Sequence, residues 1–228
     1  MIIFRFALLR GIRHPASLVV NCIIPIILVL IRPLWINGSP GFFFIALAVM
    51  SGSYLMSLSI LTDKADGAIV RILAAPITMR RYFAENLLSC MVPLFVQLIV
   101  VSLLGAILYD WGSILSIAVF LCYTILALAS VTMAFAWHCL FKSKEASNAG
   151  FGFVVTLMSF LSGFLLPLEV FPGLLQYVGA MFPAYWTARG LHSVLETGAM
   201  TGDFWLSIVA MLLFAVAFLL YGSKRRII

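Results

Sequence analysis

Polar and charged positions in this chain are confined to short gaps between six long apolar stretches, at 16–36, 42–61, 87–109, 113–141, 149–168 and 203–222. Each is near or above the ~20 residues a helix needs to cross ~30 Å of hydrocarbon. Lipid offers no partners to backbone N–H and C=O groups, so such stretches are expected to be helices that satisfy their own backbone. The expected fold is an all-α polytopic membrane protein with six transmembrane helices, a single membrane domain occupying residues 1–228. Periodicity says nothing further inside the stretches, because a lipid-embedded helix is apolar all round.

Two apolar segments do not fit a simple span. Residues 1–15 interleave Ile2, Ile3, Phe4, Phe6, Leu8, Leu9 and Ile12 with Arg5, Arg10 and Arg13. A cleaved signal would place its cations first and its apolar core afterwards. The interleaving predicts instead an amphipathic interfacial helix on the inner leaflet, with His14-Pro15 as the elbow into the first span. Residues 172–187 are apolar but interrupted by Pro172 and Pro183, and the ten residues between those prolines cover only about half a bilayer. They predict a re-entrant or interfacial helix on the outer side, shielded by protein, with Tyr177, Tyr185 and Trp186 at headgroup level.

The charges give these spans a direction. One set of gaps holds Arg5, Arg10, Arg13, Lys64, Arg71, Arg80, Arg81, Lys142, Lys144, Lys224, Arg225 and Arg226. The opposite set holds only Arg32 and Arg189, out of fourteen Lys and Arg in the chain. Cations in short loops mark the cytoplasmic side, so both termini are expected in the cytoplasm and the protein in the inner or plasma membrane. Acids are divided evenly, with Asp63, Asp66, Glu85 and Glu145 inside and Asp110, Glu169, Glu196 and Asp203 outside.

Composition narrows the function classes. The chain is 64% hydrophobic and 10% charged over 228 residues, with mean hydropathy +1.17, where soluble domains run near 45–50% and 25%. Six spans leave no stretch for a soluble catalytic domain. The net charge of +6 then reads as a topology signal and an attraction to membrane lipids, not to nucleic acid.

Catalytic and metal chemistry find no purchase. Cys22, Cys90, Cys122 and Cys139 all lie in expected spans without CxxC spacing and read as small packing residues. His14, His138 and His192 lie in separate regions, His138 reading as a packing or interfacial residue, and no HExxH or nucleotide-binding GxxxxGK[ST] occurs. No catalytic or metal site and no bound cofactor are expected. Among polar residues in the spans, Asn21 falls in the first and Asn86 near an interface. Gln97, mid-span in the third, is expected to hydrogen-bond a neighbouring helix, a place on a substrate path being the alternative. Arg32 either snorkels to outer headgroups or lines such a path. Ser53/Ser57 and Ser130/Ala134 have the spacing that lets helices approach closely. No mid-membrane carboxylate or histidine chain is visible, which disfavours an ion-coupled secondary carrier.

Two gaps carry further pattern. The cytoplasmic one reads Asp63-Lys-Ala-Asp66-Gly67-Ala68-Ile69-Val70-Arg71-Ile72-Leu73-Ala74-Ala75-Pro76, with Ile69, Ile72 and Leu73 on one helical face. The outer one reads Ser162-Gly163-Phe164-Leu165-Leu166-Pro167-Leu168-Glu169-Val170-Phe171-Pro172, followed by Phe182-Pro183 and Arg189. Together they resemble the type-2 ABC exporter (ABC-2 type) permeases. Those carry an acidic residue, Gly, a small residue and Arg-Leu-Leu-x-x-Pro after their second span. After the fifth comes Ser-Gly-aromatic-x-x-Pro-x-Glu-x-x-Pro, then Asn-Pro and an Arg. The resemblance covers essentially the whole chain. It departs at Asp63 for Glu, Ala65 for a second Glu, Ala68 for Thr and Phe182 for Asn.

The resemblance implies a function. Residues 62–76 would form a cytoplasmic coupling helix docking on an ATPase through Asp63, Asp66, Gly67, Arg71, Leu73 and Pro76. Gly163, Pro167, Glu169, Pro172, Pro183 and Tyr185 would belong to an outer gate with the re-entrant helix, and Arg32 and Gln97 to a possible pathway. A second permease, either a copy of this chain or a related subunit, and two ABC ATP-binding subunits would complete the transporter, with ATP and Mg on the ATPase, and the faces of spans one and five as the dimer seam. The nineteen phenylalanines point to a hydrophobic or amphipathic cargo (drug, lipid or lipopeptide) or simply to lipid-facing helices. The alternatives are a polysaccharide-exporting ABC permease and an ion-coupled secondary carrier.

Overall fold

A computed structural model describes residues 2–13, 17, 19–36, 40–67, 78–141, 143–164 and 172–224. All the regular structure among them is helical. Helix α1 is Ile2–Arg13. A π-helical turn, Val19–Ile23, leads into α2, Ile24–Leu30, and α3 is the short Pro33–Ile36. The longer helices are α4 (Pro40–Ala65), α5 (Met79–Tyr109), α6 (Ser113–His138) and α7 (Lys144–Phe160), followed by α8 (Gly173–Ala180), α9 (Pro183–Thr197) and α10 (Gly202–Lys224).

Four of these, α4, α5, α6 and α10, are long and apolar enough to cross a membrane. The other two expected spans differ from the sequence reading, and proline and glycine explain how. The 16–36 stretch is not one helix. Pro25 has no N–H for the Asn21 carbonyl, and the chain meets it with a π-turn. It breaks again at Ile31–Arg32, ahead of Pro33. The 149–168 stretch starts early instead. Ser143 caps the helix, its side chain accepting from the Ala146 N–H at 3.1 Å, and Gly163 adopts φ +87° past its end. The resulting α7 has 17 residues.

Helix α6 is the central pillar, packed against α4, α5, α9 and α10. Its buried face alternates bulk with small residues, including Ala118, Ala127, Ser130, Ala134 and Ala136. In lipid there is no hydrophobic drive between helices, so close approach through small residues supplies the attraction. Ser53, Ser57, Ser130 and Ala134 are all fully buried. The outward faces of α2, α5 and α10 expose Ile27, Leu30, Val96, Leu103, Ile107, Leu213 and Val216, an apolar surface suited to lipid.

The bundle has two chemically distinct ends. At one, Trp35, Phe42, Tyr109 and Trp111 form an aromatic cluster with ring centroids 5.2–5.6 Å apart around Trp35. At the other lie Arg10, Asp63, Lys64, Arg81, Tyr82 and Glu85.

Candidate functional site

At the charged end, three helices meet on one carboxylate. Asp63, in the last turn of α4, accepts from Arg10 Nη1 of α1 at 2.7 Å and from the Tyr82 hydroxyl of α5 at 2.8 Å. Glu85 extends the junction, accepting from Arg81 Nε at 2.9 Å and from the Phe4 backbone N–H at 3.1 Å. Helix α4 ends just beyond. Gly67 takes φ +67° and donates its N–H to the Lys64 carbonyl at 3.2 Å, a left-handed stop for which glycine is the unstrained residue. Lys64 turns back over α6, its Nζ donating to the carbonyls of His138, Cys139 and Phe141 at 3.3–3.4 Å. It thereby satisfies acceptors the helix terminus leaves open. Of the residues expected to couple, Asp63, Asp66 and Gly67 stand at this helix end, whereas Arg71, Leu73 and Pro76 lie outside the described residues.

Beneath that junction is a closed polar relay. The Tyr54 hydroxyl donates to Ser147 Oγ at 3.1 Å, and Ser147 Oγ lies 3.4 Å from His138 Nδ1. His138 Nε2 lies 2.8 Å from Ser57 Oγ, which itself donates to the Tyr54 carbonyl at 2.7 Å. With the Ser57 proton committed to that carbonyl, its oxygen accepts from Nε2–H and Nδ1 accepts from Ser147, so the imidazole is the neutral Nε2–H tautomer. His138 thus ties α4, α6 and α7 together. The sequence marks His138 as a packing or interfacial residue and Ser57 as a close-approach residue, but nothing in the one-dimensional pattern pairs them.

At the aromatic end, α8 and α9 form a hairpin broken at Met181–Phe182, where Pro183 starts α9. The break falls at the expected proline, but α9 runs on to Thr197, beyond the expected 187. It is wedged between α6 and α10. A Cβ on Gly190 would meet Ser207 Cβ at 3.2 Å and Cys122 Sγ at 3.5 Å. The Thr187 hydroxyl contacts Met211 Sδ at 3.1 Å, while Ser193 and Thr201 share a hydrogen bond nearer the helix ends. Helix α9 therefore runs antiparallel to α10, with Thr187 opposite Met211, nine residues or about 13 Å along from Gly202 at ~1.5 Å per residue. Trp186 Nε1 donates to the Ala180 carbonyl at 2.9 Å and closes the hairpin. Arg189 sits over the Trp186 ring and pairs with Asp203 at 2.9 Å. Gly163, Pro172, Pro183 and Tyr185 frame this region, and Pro167 and Glu169 lie outside the described residues.

Gln97 corrects one expectation. It is 5% exposed, yet neither its amide nitrogen nor its oxygen has a hydrogen-bond partner among the described residues. It faces a cavity of about 320 Å³ between the π-turn, α4 and α5 rather than bonding a neighbouring helix. Most of the cavity wall, including Pro25, Ile26, Val92 and Val96, is apolar, and the amide of Asn21 that shares it makes no hydrogen bond to Gln97. Arg32 is exposed in the turn before α3 and is not among the residues around this cavity. Among the described residues no group of three metal-ligating side chains occurs.

Comparison with protein families finds a match over residues 34–224 to the model described as ABC-2 family transporter protein. No curated protein matches the chain.

Proposed function

Because this chain belongs to the ABC-2 transporter family of membrane permeases, we propose that it is the permease subunit of an ATP-driven exporter, paired with a second permease copy and powered by two separate ATP-binding subunits. ATP and its magnesium belong to those partners. The observation that carries this is the charged-end junction. Asp63, Asp66 and Gly67 close α4 immediately before segment 68–77 in the sequence, and Asp63 also holds α1 and α5. A push delivered to that segment therefore reaches three helices through one carboxylate. The charged end is then the cytoplasmic one, with α1 on the inner leaflet showing its exposed Phe6 and Leu9 to lipid.

The α8–α9 hairpin acts in this reading as a re-entrant outer gate, its depth along α10 supporting that role. Its gate residues are Gly163, Pro167, Glu169, Pro172, Pro183 and Tyr185. Apolar faces of α2 and α7 form the seam with the second copy. The cargo is hydrophobic or amphipathic. Mid-bundle, the buried polar groups of the described residues include the amides of Asn21 and Gln97 and the hydroxyls of Ser53, Ser130 and Thr132, whereas an ion-coupled carrier would place ionisable groups there. The buried carboxylate of Glu85 sits instead at the charged end, on Arg81.

The test is co-purification from the native membrane. An ATP-binding subunit should come with the chain at near-equal stoichiometry and be shed by Arg71→Glu with membrane insertion intact. A chain that arrives alone, from a detergent in which control ABC complexes survive, would sink the assignment.

A further inference from the structure

Two cavities lie on either side of a single side chain. One, of about 390 Å³, opens at the charged end beside Arg10, Ser59, Thr62, Glu145 and Asn148. The other is the apolar cavity of about 320 Å³ that Gln97 faces. Both are of the size of small-molecule sites, and Met56 lines both. Met56 is 5% exposed, and its sulfur is held by the Ser17 hydroxyl at 3.4 Å and packed under Gly11, where a Cβ would come within 3.0 Å. A thioether with three rotatable bonds is the least rigid partition a core offers.

The two compartments differ in what they would hold. The apolar one has walls of Pro25, Ile26, Val92 and Val96, and two amides line it with unanswered atoms, both polar atoms of Gln97 and the side-chain oxygen of Asn21. A buried amide without a partner costs free energy that a bound carbonyl or hydroxyl would return. The polar one offers a guanidinium, a carboxylate and an amide in one space, which suits a head carrying both signs better than one carrying a single charge. We propose that the two cavities are compartments of one binding site for an amphipathic molecule with a single apolar chain and a zwitterionic head. The chain lies among α2 and α5, a hydrogen-bonding group near its base meets Gln97, the head meets Arg10 and Glu145, and Met56 moves aside to join them. This rests on the amphipathic cargo proposed above, and narrows it.

The experiment uses the full chain in nanodiscs and a lysophosphatidylethanolamine with a diazirine in its acyl chain. Photolabelling should fall on the buried lining residues Pro25, Met56 or Gln97 and be competed by unlabelled lysolipid. Gln97→Leu should weaken competition about three- to tenfold, the worth of one neutral hydrogen bond, as should Gln97→Met, a closer match in shape. Met56→Trp should block the lysolipid probe while sparing a headless diazirine-alkane. Labelling spread over the outer faces of α5 and α10 without competition would overturn the site, as would unchanged binding in both Gln97 variants. Equal labelling by both probes in Met56→Trp would overturn the joining of the compartments. Binding is read on the permease alone, so its loss with ATPase co-purification intact removes this site and leaves the transport function standing. A single-chain lipid retained from the native membrane would mark the occupant as a resident lipid, and labelling only by added probe would mark it as passing cargo.

Discussion

Arg10 reaches from α1 to Asp63 on α4, Nη1 to Oδ1 at 2.7 Å, and the other oxygen of the same carboxylate takes the Tyr82 hydroxyl. The two bonds are unequal in worth. Arg10 is half exposed, so water and salt screen its ion pair and hold it to about 1 kcal/mol or less. Tyr82 is 1% exposed, and its hydroxyl has no solvent to fall back on. Asp63→Asn, which keeps an acceptor for Tyr82, should cost about 1 kcal/mol. Asp63→Ala should cost about 1–3 kcal/mol more, since it leaves a buried hydroxyl unsatisfied. Thermal unfolding of the detergent-solubilised chain separates them, and equal losses would show that the Tyr82 bond contributes nothing.

The His138 relay gives a second expectation. His138→Phe fills similar space but strips partners from Ser57 and Ser147, at about 1–3 kcal/mol. Adding Ser57→Ala should recover part of that loss, because an absent hydroxyl needs no partner. Melting temperatures of the two single variants and the double variant form the cycle, and strictly additive losses would argue against the 2.8 Å contact between Ser57 and His138.

Gly52 and Asn21 form a third coupled pair. A Cβ on Gly52 would fall on the Asn21 side-chain oxygen, while Asn21 Nδ2 is pinned by the Ser17 carbonyl at 2.9 Å. Gly52→Ala should therefore cost about 1–3 kcal/mol by overpacking, and Asn21→Ala in the same chain should restore most of it. Failure of the double variant to recover in a melting experiment would mean that the strain is not local to this pair.

At the aromatic end, Arg189 and Asp203 are both substantially exposed at 2.9 Å. Arg189→Gln should move the melting temperature little, within the ~1 kcal/mol allowed to surface pairs. A large loss would point instead to the contact of Arg189 with the Trp186 ring.

Orientation has its own check. A reporter fused after Arg226 should read as cytoplasmic and one inserted at Thr201 as external. The opposite pattern would reverse the assignment of the charged end.

Much of this protein was legible in one dimension. Runs of apolar residues long enough to span a membrane are local facts, and α4, α5, α6 and α10 follow from them directly. The hairpin break at Pro183 was equally readable, since proline restricts the backbone wherever it stands, whereas the left-handed turn at Gly67 falls inside the coupling helix expected over 62–76. The family could be recognised from two short motifs in order, although parts of both fall outside the described residues. Less legible were the consequences of Pro25 and Ser143, which divide one expected span and shift another, because a hydropathy run does not register a missing N–H or a cap.

Sequence alone therefore determined that the chain is built of apolar helices, where four of the spanning ones lie, and which end carries the charge. Only the tertiary structure decided which polar residues find each other. Asp63 meets Arg10 from 53 residues away and Ser57 meets His138 from 81, and no spacing rule reaches so far. It also decided that Gln97 meets no partner among the described residues. An amide's need for a hydrogen bond is written in the residue, but whether a neighbour answers it depends on how three helices cross.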